Sequence, residues 1–93
     1  MTNITVIKRD GREVFFDKEK IKEAILKAFV AVDSQLTDYA IKKAKNISNY
    51  IENYTIKIAP TKLTIEEIQD MVEHGLMEQN RKDVAKAYIL YRQ

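Results

Sequence analysis

The chain has no cysteine, only one proline and two glycines, and no long apolar run. The absence of cysteine excludes disulfides, thiolate metal sites and cysteine-radical chemistry within these 93 residues. With so little proline and glycine, most of the chain should form regular secondary structure. No apolar stretch reaches the ~20 residues of a membrane-spanning helix, and the N-terminus lacks the apolar core of a signal peptide. We therefore expect a cytoplasmic protein that does not bind membranes.

Basic and acidic residues are nearly balanced, with 16 Lys and Arg against 14 Asp and Glu. Hydrophobic residues make up 45% and charged residues 32%, which is typical of one small globular domain. Residues 63–80 carry five acidic residues and no Lys or Arg. Because nucleic-acid-binding domains usually cluster basic residues on one face, this pattern disfavours non-specific DNA binding.

A β-hairpin is predicted near the N-terminus, where Asp10-Gly11 separates two runs of β-branched and aromatic residues. Gly11 tolerates the positive φ that a tight type I′ turn requires. Lys8 and Arg9 precede the turn, where strand twist can bring both side chains to one anion. The alternative interpretation is a solvated hairpin tip that is kept soluble by its charges.

Apolar residues at spacings of three and four predict four helices after the hairpin. The first helix is expected to run from the N-cap Asp17 to about Val32, and the second from about Asp38, after the N-cap Thr37, to Asn53. The third begins at a capping box formed by Thr64 and Glu67 and runs to about Gln79. The fourth runs from about Lys82 to the C-terminus. Asn80 is expected to end the third helix.

Residues 54–62 are predicted to be a connecting loop. Pro60 disfavours helix at Ala59, and Ile56 and Ile58 suit a short extended piece. The inward-facing stripe of the second helix is predicted to comprise Ile41, Ala44, Ile47 and Ile51.

The predicted fold is α+β and mainly α, with the hairpin as a lid over a four-helix bundle. An isolated two-stranded hairpin is marginally stable in water, so this one should be anchored on the helices through Val6, Val14 or Phe16. Lys20 lies in the first turn of the first helix, where a cation costs about 0.3–1 kcal/mol unless an anion binds nearby. A tolerated surface lysine is the alternative. His74 has no Cys or second His beside it, so a metal site is not expected.

Four segments resemble, in order and spacing, the ATP-cone family of nucleotide-binding regulatory domains. They are residues 6–11 (VIKRDG), residues 16–21 (FDKEKI), the apolar positions Ile68, Val72 and Leu76, and residues 87–92 (AYILYR). Residues 20–26 (KIKEAIL) and the last segment resemble the N-terminal cone of anaerobic (class III) ribonucleoside-triphosphate reductases. The repressor branch of the family carries a zinc ribbon of paired cysteines, which this chain lacks.

The resemblance implies a single non-catalytic domain over residues 1–93, excised from the N-terminus of a larger reductase. ATP bound in the cone would accompany an active enzyme, and dATP would shift it to an inhibited oligomer. The implied partners are the nucleotide, the catalytic domain of the same reductase and other subunits of a homo-oligomer. Mg²⁺ is expected with the phosphates, held by their oxygens and by water. No Walker motif is present, so the sequence has no evident machinery for ATP hydrolysis.

The resemblance also implies which residues contact the nucleotide. Lys8 and Arg9 would contact phosphates, and Lys20 would add a third cation. Val6 and Ile21 would border the adenine or the sugar.

Two further positions belong to the implied site. Gln69 stands where some relatives have a nucleotide-contacting histidine, and a solvated helix residue is the alternative. Arg92 lies in the terminal motif and would reach either the phosphates or a neighbouring subunit. The rival functions are the cone of a DNA-binding repressor and a degenerate cone that acts as a protein-interaction module.

Overall fold

The computed structural model describes residues 4–59 and 62–91. The elements in chain order are β1 (Thr5–Ile7), β2 (Glu13–Phe15), α1 (Lys18–Asp33), α2 (Asp38–Ile58), β3 (Leu63–Thr64), α3 (Ile65–Glu78) and α4 (Lys82–Tyr91). These helices and the small sheet agree with the predicted α+β, mainly α class. The predictions that concern Pro60 and Arg92 fall outside the described residues.

The hairpin belongs to a three-stranded sheet in which β1 is the central strand. Strand β2 runs antiparallel to β1 and pairs Val14 with Val6. Strand β3 runs parallel to β1 and pairs Leu63 with Val6. The sequence analysis missed β3 because two residues are too few to show an alternating pattern. This strand places the start of α3 beside the hairpin.

The turn of the hairpin is not the predicted type I′. That turn needs a positive φ at both central residues, and here only Gly11 has one, at +88°, while Arg9 and Asp10 do not. The amide of Gly11 donates to the Lys8 carbonyl at 2.9 Å, and the amide of Lys8 donates to the Arg12 carbonyl at 2.8 Å. The loop is therefore three residues long and ends in a left-handed glycine.

The Asp10 carboxylate holds this loop closed. It accepts from the Arg12 amide at 3.0 Å and from Arg12 Nε at 2.7 Å. These two bonds lower the pKa of Asp10 below its ordinary value.

The hairpin is anchored through Val6 on β1, Ile4 before that strand and Phe16 after β2. Ile4, Val6 and Phe16 are buried in the same core as the helices. Val14 and Phe15 on β2 are 39% and 74% exposed. Val6 and Phe16 are therefore anchors as predicted, and Val14 is not. The tip, residues 8–12, is exposed throughout.

All three predicted N-caps are confirmed. The side chains of Asp17, Thr37 and Thr64 accept from backbone amides of the first helical turn at 3.1, 3.1 and 3.2 Å. Each bond satisfies one of the amides that a helix start leaves unpaired. Three of the four helices thus begin where their capping side chains predict.

Helix α2 is longer than predicted, and the expected loop and extended piece at Ile56 and Ile58 are wrong. Thr55 explains the difference, because it is completely buried and its hydroxyl donates to the Glu52 carbonyl at 2.6 Å. A buried hydroxyl that is hydrogen-bonded within its own helix can face the core at little cost. Thr55, which lies within the predicted loop, therefore continues the buried face of α2 one turn beyond Ile51.

The inward face of α2 is also shifted by one residue at its start. Ile41 is 40% exposed, whereas Ala40 is completely buried. Ala40 and Ala44 are small, and buried positions then continue at spacings of three or four along the helix. The prediction that Ile41 faces inward is therefore wrong, and Ala40 takes its place.

Helix α1 packs against α2 and α4, and α3 packs against α2 and α4. Helices α2 and α3 pack closely at Gly75, where a Cβ atom would lie 3.2 Å from Cγ1 of Ile47. Within the described ranges, no helix is both long enough and apolar enough to cross a membrane.

Two helix ends contain non-glycine residues with positive φ. Asn80, at φ 60°, follows α3, and its amide donates to the Met77 carbonyl at 3.0 Å. The next amide, of Arg81, donates to the Leu76 carbonyl at 3.0 Å. This pair of bonds is the Schellman arrangement and confirms that α3 ends at Asn80. Ser34, at φ 64°, ends α1 in the same conformation.

We expect the substitution Ser34→Gly to raise the free energy of unfolding by about 0.5–1 kcal/mol. A left-handed conformation costs a residue with a Cβ roughly 1–2 kcal/mol, and the greater entropy of glycine in the unfolded chain offsets part of the gain. Denaturant unfolding monitored by circular dichroism measures the change. Asn80→Gly is the matched control and should gain less, because asparagine tolerates this conformation better. A less stable Ser34→Gly variant would contradict the argument.

Candidate functional site

A cleft of about 690 Å³ opens between the hairpin, the first turns of α1 and α3, and the end of α4. Its volume lies within the roughly 300–1,000 Å³ range of small-molecule sites. The residues that line it are Val6, Lys8, Arg9, Asp10, Arg12, Val14, Phe15, Phe16, Asp17, Lys20, Ile21, Ala24, Ile65, Ile68, Gln69, Tyr88 and Tyr91.

The sequence around the turns puts these side chains together. Because β1 ends at Ile7, Lys8 and Arg9 lie in the hairpin tip, and both line the cleft. Phe16 is buried, and its amide donates to the Ile4 carbonyl at 2.9 Å, which fixes where α1 begins. The first turn of α1 then brings Lys20 to the same cleft.

The cleft is electropositive. The cationic lining residues are Lys8, Arg9, Arg12 and Lys20, and the acidic ones are Asp10 and Asp17. Both carboxylates are engaged in local structure, since Asp10 bonds Arg12 and Asp17 caps α1. The remaining positive charge favours an anionic ligand.

Arg9 connects the hairpin to α3. Its Nε lies 3.4 Å from Oε2 of Glu66, and both side chains are about half exposed. Its Nη2 donates to Oε1 of Gln69 at 3.4 Å. Gln69 is only 8% exposed, so the alternative interpretation of a solvated helix residue is wrong.

Apolar side chains form the rest of the cleft. Val6, Ile68 and Tyr88 are buried, while Ile21 and Ile65 are half-buried. A site that combines cationic groups with apolar walls suits a ligand that has both an anionic and an apolar part.

Six of the seven residues predicted for the site line this one cleft. They are Val6, Lys8, Arg9, Lys20, Ile21 and Gln69. The seventh, Arg92, lies outside the described residues.

The sequence analysis did not assign Arg12, Phe15, Tyr88 and Tyr91, which also line the cleft. Tyr88 and Tyr91 are one helical turn apart in α4, a spacing that also fits an apolar core face. Of the two, Tyr88 is buried and Tyr91 is 51% exposed. Three-residue spacing alone does not distinguish a core face from the wall of a cleft.

Across the part of the chain that the structure describes, no three His, Cys, Asp or Glu side chains converge as metal ligands. His74 pairs with Glu78 one turn along α3 and is 75% exposed. It does not line the cleft.

Residues 4–93 match the family model described as the ATP cone domain. The chain belongs to the ATP cone family. This ATP cone is 41% identical over 87 residues to an anaerobic ribonucleoside-triphosphate reductase of Salmonella typhimurium, and 40% identical to one of Escherichia coli. It is 39% identical over 100 residues to a vitamin B12-dependent ribonucleoside-diphosphate reductase of Thermoplasma acidophilum.

These three alignments cover 94–95% of the cone and 11% of each relative. The chain therefore spans only about a ninth of the length of the curated relatives it matches. The resemblance seen in the sequence motifs is confirmed at the level of the family.

Proposed function

We propose that this ATP cone binds ATP and dATP in the cleft and regulates the overall activity of a ribonucleoside-triphosphate reductase of which it is the N-terminal domain. The observation that carries the proposal is the meeting of Lys8, Arg9 and Lys20 from two separate elements at one apolar-walled cleft. Neither the hairpin nor α1 alone provides all three cations.

A triphosphate suits this group of cations. Arg and Lys form short, charge-assisted hydrogen bonds to phosphate oxygens, and a guanidinium can bind two oxygens at once. Helices α1 and α3 both begin at the cleft, so the positive ends of their dipoles add to the attraction for an anion.

The apolar wall suits the base and the sugar. The apolar lining includes Val6 from β1, Ile21 from α1, Ile68 from α3 and Tyr88 from α4. An adenine ring would bury its faces against such side chains, and its burial would add to the phosphate contacts.

Mg²⁺ would be held by phosphate oxygens and water rather than by a protein cage. Asp10 and Asp17 are the carboxylates on the cleft, and both already accept hydrogen bonds from the protein. The ion would screen the charge of the phosphates, and the domain would bind the nucleotide without hydrolysing it.

Regulation would follow from a shift between two arrangements of the enzyme. A ligand shifts such an equilibrium only by its difference in affinity for the two states. ATP and dATP differ by one 2′-hydroxyl, so each must order the hairpin and the adjoining helices differently. The exposed helix faces would then dock differently on the catalytic domain or on other subunits of a homo-oligomer.

Isothermal titration of the 93-residue chain with ATP and with dATP, each with Mg²⁺, tests the proposal. We expect saturable binding of both nucleotides and much weaker binding of adenosine, which lacks the phosphates. A folded chain that binds neither nucleotide would overturn the proposal and favour a degenerate cone that acts as a protein-interaction module.

A further inference from the structure

The two arginines of the cleft each face a carboxylate of the protein itself. Arg12 pairs with Asp10 inside the hairpin loop, at 2.7 Å. Arg9 pairs with Glu66, which belongs to a different element, the first turn of α3. Among the described residues, Lys8 and Lys20 have no carboxylate within ion-pair distance. A bound phosphate would therefore compete with a protein carboxylate for each of the two arginines, but not for Lys8 or Lys20.

We propose that Glu66 is an internal competitor for the phosphate-binding edge of Arg9 and thereby sets the affinity of the cone for its nucleotide. This inference rests on the proposed function, because it assumes that phosphates bind beside Arg9. It gives Glu66 the role of a tuning residue rather than a nucleotide contact.

The geometry of Arg9 supports this role. Guanidinium groups bind carboxylates and phosphates through pairs of parallel N–H bonds. The Nε atom of Arg9 is directed to Glu66 and Nη2 to Gln69. These two nitrogens form one edge of the guanidinium, so a phosphate that binds this edge must displace the Glu66 carboxylate.

The contact is also weak enough to be exchanged. Its N–O distance of 3.4 Å is longer than the roughly 2.7–2.9 Å of a strong charge-assisted bond. Both side chains are about half exposed, so water screens the pair. A phosphate carries more charge than a carboxylate and would displace Glu66 from Arg9. Breaking the contact between Arg9 and Glu66 would make nucleotide binding less favourable.

The test compares Glu66→Gln with the wild-type chain by titration with dATP and Mg²⁺. We expect the variant to bind roughly two- to fivefold more tightly at low salt, because that range corresponds to the strength of an exposed ion pair. The gain should shrink at high salt. Glu67→Gln is the matched control, since it removes the same charge from the same helical turn, and glutamine also suits this capping-box position.

Repeating the comparison in an Arg9→Ala background shows whether Glu66 acts through Arg9. There the Glu66→Gln substitution should give no gain, although Lys8 and Lys20 still bind phosphates. An equal gain in both backgrounds, or equal gains from Glu66→Gln and Glu67→Gln, would overturn the inference while leaving nucleotide binding intact. Absence of binding by the wild-type chain would instead overturn the proposed function, and this inference with it.

Discussion

Replacing Lys8 and Arg9 together by alanine is expected to weaken the binding of ATP and dATP by roughly 100-fold or more. A hydrogen bond to a charged group contributes about 1.5–3 kcal/mol, and the double variant removes at least two such bonds to the phosphates. Both residues lie in the exposed hairpin tip, so their removal should leave the fold intact. Isothermal titration in Mg²⁺ measures the loss, and the thermal midpoint checks the fold.

The matched control is Lys42→Ala combined with Lys45→Ala. These two lysines are exposed on α2 and do not line the cleft, yet their removal changes the net charge by the same amount. The control should bind nucleotide nearly as well as the wild-type chain. Comparable losses in the two double variants would show that overall charge, and not the cleft, governs binding.

The parts of the fold that the sequence predicted are those with a local physical cause. Asp17, Thr37 and Thr64 are short polar side chains placed before amphipathic runs, and each accepts the expected amide bond. Asn80 follows the last apolar position of α3 and adopts the left-handed conformation that ends a helix. Capping and stopping of helices depend on a few neighbouring residues, so they can be inferred without knowledge of the tertiary structure.

The features that the sequence did not predict depend on tertiary contacts. Strand β3 exists because Leu63 meets Val6 across the sheet, and nothing near Leu63 in the chain indicates that pairing. Thr55 faces the core because its hydroxyl is satisfied within α2, although a threonine in an apolar pattern usually suggests the end of a buried stripe.

The same distinction applies to the cleft. Lys8, Arg9 and Lys20 were predicted from motifs close together in the chain, and the structure brings them to one cleft. The link between Arg9 and α3 could not be predicted, since Glu66 and Gln69 reach it only after β3 pairs with β1. The short strand β3 is therefore what brings a carboxylate and an amide of α3 to the cationic hairpin.

Away from the cleft, Arg81 connects the ends of three helices. Its guanidinium bonds Asp33 at the end of α1, at 2.7 Å, and Asp83 in the first turn of α4, at 3.1 Å. It also stacks over the rings of Phe29 and Tyr39, at 5.4 and 5.8 Å. The carboxylates of Asp83 and Asp33 raise the pKa of Arg81 above its ordinary value.

We expect Arg81→Ala to lower the free energy of unfolding by about 2–3 kcal/mol, which corresponds to a fall of roughly 8–20 °C in the thermal midpoint. The Arg81 side chain is 19% exposed and that of Asp33 is 27% exposed. Removal of the arginine leaves Asp33 partly buried without this partner and removes a cation from two aromatic faces. Denaturant and thermal unfolding both measure the effect.

Arg12→Ala is the control that separates the effect of burial on stability from the effect of ion pairing alone. Arg12 also pairs with an aspartate at 2.7 Å, but its side chain is 66% exposed, so its loss should cost less than about 1 kcal/mol. Equal losses in the two variants would refute the explanation from burial.

The pH dependence of stability provides a second test, because Arg81 and the Val84 amide lower the pKa of Asp83 in the folded protein. A lowered pKa stabilises the fold above about pH 4, and this contribution disappears as the pH falls through the folded-state pKa. The difference in stability between the wild-type chain and Arg81→Ala should therefore stay constant from pH 7 to about pH 4 and narrow at lower pH, since a protonated Asp83 no longer forms an ion pair with Arg81.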